Sequence, residues 1–391
     1  MNEQSNTNTQ NDLINLLISN GIDDGMQPVM KLLLNAAMLM ERTKHINAQP
    51  NERSSHRTGY SNGFKPRSYQ SSIGKLDLQY PQVRGSEEPF RTSLFEKGSR
   101  SDRSLKVAIA TMYIQGVSTR KVTKVMEDLC GFEVSSAQVS RLSSELDEEF
   151  EKWRQRDLPD IRHMICDASY YKIRHEGVVR DCAVLIAIGV RATDGKRMVL
   201  GVSCKLSEAE IHWRDFFETL KERGLGIPDS ITSDFHVGLK AALRASFNST
   251  PWQRCQFHLQ QNAQSYVPKM DMKQEVAADI KRVFNSSDRP HAELELKNLV
   301  KKYEKTAPEL AKWMETSIPE GLTVLNLPTK VRTRLRTSNM CETLNGNIKR
   351  RTKVVGVFPN AESLLRLVTG VVIEVSDEWE IGKTYLNLNP K

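Results

Sequence analysis

The chain has 391 residues, more than one ordinary core accommodates, which predicts two or three domains. Hydrophobic residues make up 39%, and no apolar run reaches the ~18 residues of a membrane span, which argues against a membrane protein. The 56 Lys and Arg outnumber the 48 Asp and Glu, and the net charge of +8 favours a polyanionic partner.

The polar start MNEQSNTNTQND lacks an apolar h-region, which predicts no signal peptide and a cytoplasmic protein. The cysteines (Cys130, Cys166, Cys182, Cys204, Cys255 and Cys341) are scattered without a C-x-x-C pair, as expected for reduced, mostly buried thiols. Residues 1–10 are rich in Asn, Gln, Ser and Thr, which predicts disorder. Apolar residues at helical spacing follow, first Leu13, Leu16 and Leu17, then Val29, Leu33, Ala36, Ala37 and Met40. They predict two helices split by the Gly/Asp/Pro-rich stretch 21–28, forming an N-terminal helical region over 1–49.

Residues 50–100 change character. Arg53, His56, Arg57, Tyr60, Lys65, Arg67 and Tyr69 interleave bases with aromatics, and Gly59 and Gly63 break any helix. A basic arm lying along phosphates and a flexible linker both match this composition. Alternation in Ser68–Ile73 and Lys75–Tyr80 predicts a short hairpin around Gly74. Residues 101–157 carry three helical segments. The first spans about 104–115 and ends at Gly116, the second runs from after Ser118 to Gly131, and the third opens with the capping box Ser135-x-x-Gln138. The pattern predicts a helix-turn-helix whose recognition helix presents Gln138, Ser140 and Arg141, although trihelical units also serve as scaffolds.

From residue 158 the periodicity becomes that of strands. Stretches 161–174, 178–190 and 197–204 read as three strands, with Asp194-Gly195 as the turn between the last two. An amphipathic helix over 207–223 is expected to turn Ile211, Phe216, Phe217 and Leu220 inward. Ser230–Ser233 reads as a strand, Gly238–Phe247 as a helix and Trp252–Phe257 as a strand. This β-β-β-α-β-α-β order is that of an α/β catalytic core of the ribonuclease H-like fold, a mixed five-stranded sheet. Its first part covers 158–258. Residues 259–335 are helical by pattern (276–284, 292–303, 308–314) and predict an all-α insertion, and 336–391 return to the core as C-terminal helices.

Two carboxylates stand out. Asp167 lies in the apolar context Met164-Ile165-Cys166, and Asp234 ends the fourth strand. A bare Asp in an apolar strand is costly unless it is paired or binds metal. The first and fourth strands are neighbours in this fold, so the two acids meet, and a divalent cation relieves their repulsion. The plain alternative pairs Asp167 with Lys172 or Arg174 and makes Asp234 a helix cap. A third acid lies in the basic stretch RTRLRTSNMCETLNGNIKR (332–350). From Lys330 to Lys353 there are eight Lys or Arg and one acid, Glu342. Phosphate-binding surfaces exclude carboxylates unless a metal turns them into ligands. Thr337 and Ser338 read as N-caps, after which Glu342, Asn345 and Lys349 share one helical face. Arg336, Asn345, Lys349, Arg350 and Arg351 are candidate DNA contacts; the bland reading is a solvated basic helix with a stray Glu. Cys255-Gln256-Phe257-His258 resembles half of a zinc site, but no second Cys/His pair at finger-like spacing exists, so packing or hydrogen bonding near the acids is expected.

At these residues the sequence resembles the mutator-type transposases of bacterial insertion sequences. The similar stretches include YIQGVSTRKV (113–122), DASYYKIR (167–174), SDFHVGLKAA (233–242), WQRCQFH (252–258) and RTSNMCETLNGNIKRRTKVVGVFPNAESLLRLV (336–368). The resemblance implies a DDE triad at Asp167, Asp234 and Glu342, and a Cys/Asp-x-x-His signature matched by Cys255 and His258. It also implies a helical insertion between the second Asp and the Glu.

The function expected is that of a DNA transposase using Mg²⁺ or Mn²⁺, with two ions held by the triad. It would bind terminal inverted repeats through the helix-turn-helix and arm, cut to leave a 3′-OH, and transfer that end to target DNA. Joining two ends requires a homodimer or higher oligomer, acting at the bacterial nucleoid. The alternative is a catalytically inactive transposase-derived DNA-binding protein. A ribonuclease H-like nuclease without strand transfer leaves the arm, the helix-turn-helix and the insertion unexplained.

Overall fold

Helical turns run over Asn2–Ile46 (α1), broken at Gly21, whose φ of 76° is open to glycine and strained for other residues. The computed structural model describes all residues except Met1, 96–100, Asp102, 131–133 and 389–391. Gly131 lies outside the described residues, as do the side chains of Leu13, Leu16, Leu17 and Ser140. The disorder predicted for 1–10 is corrected from Asn2 onward. Extending a helix costs far less than nucleating one, so the polar residues continue the turns of the segment that follows. The predicted split over 21–28 narrows to Gly21, and Pro28 lies within the second segment.

Tyr60–Ser71 (β1) and Gly74–Arg84 (β2) form an antiparallel hairpin that turns at Ser71↔Gly74, where Gly74 has φ 115°. It is longer than predicted, so Tyr60, Lys65 and Arg67 are strand residues and not part of a free arm or linker. Burial accounts for this. Leu76 and Leu78 pack with Tyr69 and Tyr80 against Met30, Leu34 and Met38 of α1, and one buried face pins the register. Three helices follow, Arg103–Ile114 (α2), Thr119–Cys130 (α3) and Ser136–Ser144 (α4). Leu105, Ile109, Val122, Met126, Val134 and Val139 form their shared core. The predicted capping box is present: Gln138 N donates to Ser135 Oγ at 3.2 Å and Ser135 N to Gln138 Oε1 at 2.9 Å.

The chain divides into two units, one of Met1–Tyr113 with Val117–Glu145, the other of Ile114–Gly116 with Leu146–Lys391. The second opens with Asp147–Arg154 (α5) and builds a mixed sheet from Ile161–His175 (β3), Val178–Arg191 (β4), Arg197–Lys205 (β5), Ser230–Ser233 (β6) and Trp252–Arg254 (β7). The order is β5-β4-β3-β6-β7; β3, β4 and β5 are antiparallel, while β6 runs parallel to β3 and β7 parallel to β6. Glu210–Glu222 (α6) connects β5 to β6, and Val237–Ser246 (α7) connects β6 to β7.

Two expectations change here. Ile211 is 58% exposed, and Trp213 is buried in its stead with Phe216, Phe217 and Leu220. Positions 213, 216, 217 and 220 share a helical face, which 211 leaves. The last strand stops at Arg254 instead of Phe257, because its β6 partner ends at Ser233.

Gln256–Ala263 (α8), Met272–Phe284 (α9), Arg289–Tyr303 (α10), Pro308–Ser317 (α11), Thr329–Leu335 (α12) and Asn339–Thr352 (α13) follow. Val357–Phe358 (β8) then pairs with the far end of β3, a sixth strand beyond the five expected and too short to leave a periodic signal. Ala361–Ile381 (α14) closes the chain of elements. On one sheet face Met164, Cys166, Leu185, Ala187, Leu200 and Ile231 pack against α6 and α7. Alternation turns Ile165, Asp167, Ser169 and Tyr171 to the other face, which α13 covers. Among the described residues no helix is long and apolar enough to cross a membrane.

Candidate active site

Register brings the two aspartates together. The parallel β3–β6 ladder pairs Cys166 with Ser233, and Asp167 and Asp234 are the next residue on each chain. Neither adopts the plain structural role. Lys172 Nζ lies 2.8 Å from Asp181 and leaves Asp167 to other partners. Asp234 Oδ1 accepts from the neighbouring Phe235 N at 2.7 Å, while His236 holds the N-cap position of α7.

Helix α13 lies over Asp167. Ser338 occupies its N-cap position without a side-chain cap bond, and Thr337 precedes it. Glu342, in the first turn, is half-buried, and its Oε1 is buried without a hydrogen-bond partner. One turn on, Asn345 Nδ2 donates to Asp167 Oδ2 at 2.8 Å. Asn345 Oδ1 lies 3.1 Å from Ser169 Oγ, which lies 3.1 Å from the Tyr171 hydroxyl. Donating to Asn345 leaves Ser169 to accept from Tyr171, so a chain of bonds ends on the Asp167 carboxylate. Asn345, expected at DNA, is therefore buried with its amide engaged inside the protein.

The acids gather around His258, on α8. Its Nδ1 lies 3.7 Å from Asp234 Oδ1 and its Nε2 3.9 Å from Glu342 Oε1. The Cys255 sulfur, followed by Asp234 and Glu342, raises the imidazole pKa to about 9 against the effect of burial. Burial acts to raise the Cys255 thiol, but His258 and Ser338 outweigh it and lower the pKa. Burial, with help from Asp234 and Glu208, pushes the Asp167 carboxyl up to about 7; the Ala168 amide and His258 oppose it. Glu208 is a fourth acid that the sequence did not single out. It lies 3.6 Å from His236 Nδ1, and in Ser207-Glu208-Ala209-Glu210 it reads as an ordinary acid at a helix start.

Two donor sets share Glu342. Asp167, Asp234 and Glu342 offer hard oxygens, the chemistry of Mg²⁺ or Mn²⁺. The orphaned Glu342 oxygen and the raised Asp167 carboxyl both mark a place where a divalent cation relieves an electrostatic cost. The second set brings Cys255, His258 and Glu342 donor atoms within 4.8 Å of one another. It suits a softer ion, whose binding would displace the proton that Cys255, Asp234 and Glu342 favour on His258.

The basic residues divide. Lys349 and Arg350 are exposed. Arg351 is turned inward, with Nη2 2.9 Å from Glu374 and 3.1 Å from Gln115 Oε1, and Arg336 Nη1 donates to Asn285 Oδ1 at 3.0 Å. In the first unit Arg53, Lys65 and Arg141 are exposed. Arg57 Nη2 donates to Glu52 O at 2.6 Å and its guanidinium lies 5.5 Å from the Tyr60 ring centre. The Arg67 guanidinium lies 4.6 Å from the Phe95 ring centre. Gln138 Oε1 is taken up by the cap of α4.

Residues 1–382 match the family described as Transposase, Mutator family. The chain is 48% identical over 376 residues to the transposase for insertion sequence element IS406 of Burkholderia multivorans, covering 96% of each. It is 33% identical over 376 residues to the transposase for IS256 in transposon Tn4001 of Staphylococcus aureus, covering 94% of each. Among solved structures, a Drosophila P element transposase strand transfer complex aligns with 74% of this chain and 81% of its own at 10% identity, with a TM-score of 0.30. The chain belongs to the Mutator family of transposases.

Proposed function

We propose that this protein is the transposase of an insertion sequence, cutting DNA at terminal inverted repeats and joining the freed 3′-OH to target DNA. The observation that carries the reading is the meeting of Asp167, Asp234 and Glu342 around His258, in a sheet with the strand order of the ribonuclease H-like fold. The three acids would hold two Mg²⁺ or Mn²⁺ ions, which when bound supply charge stabilisation for in-line displacement at phosphorus. Asn345 orients Asp167 through the bond to Oδ2. The exposed Lys349 and Arg350, farther along α13, balance backbone phosphates beside the acids.

Helices α2 to α4 serve as a helix-turn-helix with Arg141 exposed on its third helix, and the hairpin β1–β2 adds Lys65 and the Arg53 segment as a basic surface. The helices between β7 and α13 act as the insertion that separates the second Asp from the Glu. Two DNA ends require at least a dimer. The test is cleavage and joining of a labelled DNA carrying the element's end, with Mg²⁺, with EDTA and with Asp167→Asn. Metal-dependent nicking and joined products, lost in the variant, are expected. Binding without cleavage under every metal condition would instead identify an inactive, transposase-derived DNA-binding protein.

A further inference from the structure

Two polar atoms among the gathered acids lack a partner. His258 Nδ1 and Glu342 Oε1 are both buried and make no hydrogen bond. With the Cys255 sulfur, these side chains bring three donor atoms within 4.8 Å of one another. The backbone fixes the sulfur. Cys255 N–H donates to Ser233 O at 2.8 Å, and Ser338 N–H donates to Cys255 Sγ at 3.4 Å. Cys255 is the N-cap of α8 and His258 stands three residues on, so the two side chains share one side of its first turn.

The distances approach those of a zinc site. Nitrogen and oxygen ligands of a tetrahedral zinc, each bound at ~2.0–2.2 Å, lie ~3.4 Å apart. His258 Nε2 and Glu342 Oε1 lie 3.9 Å apart, so a shift of about half an ångström closes the gap. The other ring nitrogen, Nδ1, faces Asp234 Oδ1 at 3.7 Å. A carboxylate behind the imidazole is the outer support that orients ligating histidines. Cys255 is buried, whereas His258 and Glu342 are partly exposed, which leaves a side for ion entry and for water as the fourth ligand.

We infer that Cys255 Sγ, His258 Nε2 and Glu342 Oε1 bind a thiophilic divalent ion, Zn²⁺ foremost, and that this ion inhibits the protein. Binding releases the Cys255 thiol proton, and His258 gives up its Nε2 proton where it carries one. One thiolate and one carboxylate then neutralise the dication. Sulfur and nitrogen ligands favour Zn²⁺ over Mg²⁺ and Mn²⁺. The bound ion engages Glu342 and sets two positive charges beside Asp234, so it opposes loading of the three acids with hard cations. The inhibition rests on the proposal that DNA is cut at Asp167, Asp234 and Glu342; the binding does not.

The test titrates the full chain with Co²⁺ as a coloured probe and then with Zn²⁺. Wild type should gain an ultraviolet sulfur-to-cobalt charge-transfer band and the intense visible bands of tetrahedral cobalt, and equimolar Zn²⁺ should erase both. Cys255→Ser should lose the charge-transfer band. His258→Gln, at a partly exposed position, should lose the tetrahedral bands. Asp234→Asn, which removes only the outer support, should weaken zinc binding about 10- to 100-fold. No charge-transfer band in wild type, or a wild-type spectrum in either Cys255→Ser or His258→Gln, would overturn the inference. In cleavage of end DNA with Mg²⁺, equimolar Zn²⁺ should stop cutting and a zinc-selective chelator should restore it; undiminished cutting by zinc-loaded protein would overturn the inhibition. A protein that shows the cobalt spectrum but cuts under no condition supports the ion site and refutes the proposed activity instead.

Discussion

Asn345 separates the sequence reading from the structural one. In the sequence it is a candidate DNA contact; in the structure its Nδ2 donates to Asp167 Oδ2 at 2.8 Å and anchors the chain from Ser169 and Tyr171. Asn345→Ala removes a hydrogen bond to an ionisable group, worth ~1.5–3 kcal/mol, and leaves Ser169 without that acceptor. If the bond holds Asp167 in its working orientation, the loss appears as a cleavage rate about 10- to 150-fold lower. At ~2–4 °C per kcal/mol for a unit of this size, Tm should fall by about 3–12 °C. Asn345→Asp should be worse, because it sets a second carboxylate against Asp167. The assay pairs single-turnover cleavage of end DNA over a Mg²⁺ titration with binding by anisotropy in EDTA. A slower cut with unchanged DNA affinity is expected, along with partial recovery at high Mg²⁺. A normal rate, or weaker DNA binding with a normal rate per bound complex, would refute a positioning role and return Asn345 to the DNA surface.

Metal-free protein should lose stability as pH rises, in two steps. The folded pKa of Asp167, about 7, lies above its ordinary 3.8, so its contribution is complete below about pH 4 and is lost as pH passes about 7; Asp167→Asn should remove that step from Tm against pH in EDTA. For His258 the folded value of about 9 lies above 6.5, so His258→Gln should lower Tm at pH 6 and match wild type above pH 9. Gly238→Ala should destabilise by ~1–3 kcal/mol in thermal melts, because its Cβ would lie 2.2 Å from Glu208 O, a backbone atom that cannot swing aside; an unchanged Tm would refute that packing. Lys349→Ala should weaken DNA binding and reduce the log–log salt slope by ~0.9, and an unaltered slope across a salt titration would remove Lys349 from the phosphate contacts.

What was legible in the sequence follows from how each signal arises. Asp167 and Asp234 stand out because a charge in or at the end of an apolar strand has a cost visible in one dimension, and strand order then implies that they meet, as the Cys166↔Ser233 register shows. The α4 capping box is equally local, with donor and acceptor three residues apart. Asn345, Glu208 and Arg351 are different. Their partners lie at Asp167, His236 and Glu374, and nothing in the neighbouring sequence distinguishes a buried amide from an exposed one or a paired guanidinium from a free one. Cys255 and His258 fall between these cases. Their spacing marks them as a pair, but a search for a second Cys/His pair could not find the group that joins them, since it is the carboxylate of Glu342, 84 residues beyond His258. The same carboxylate is the only acid from Lys330 to Lys353. The feature that singled it out in the sequence was its charge environment, and in the structure that feature becomes a buried oxygen facing an imidazole at 3.9 Å. A charge anomaly thus pointed to the candidate site, while the identity of the groups around it depended on contacts between distant segments.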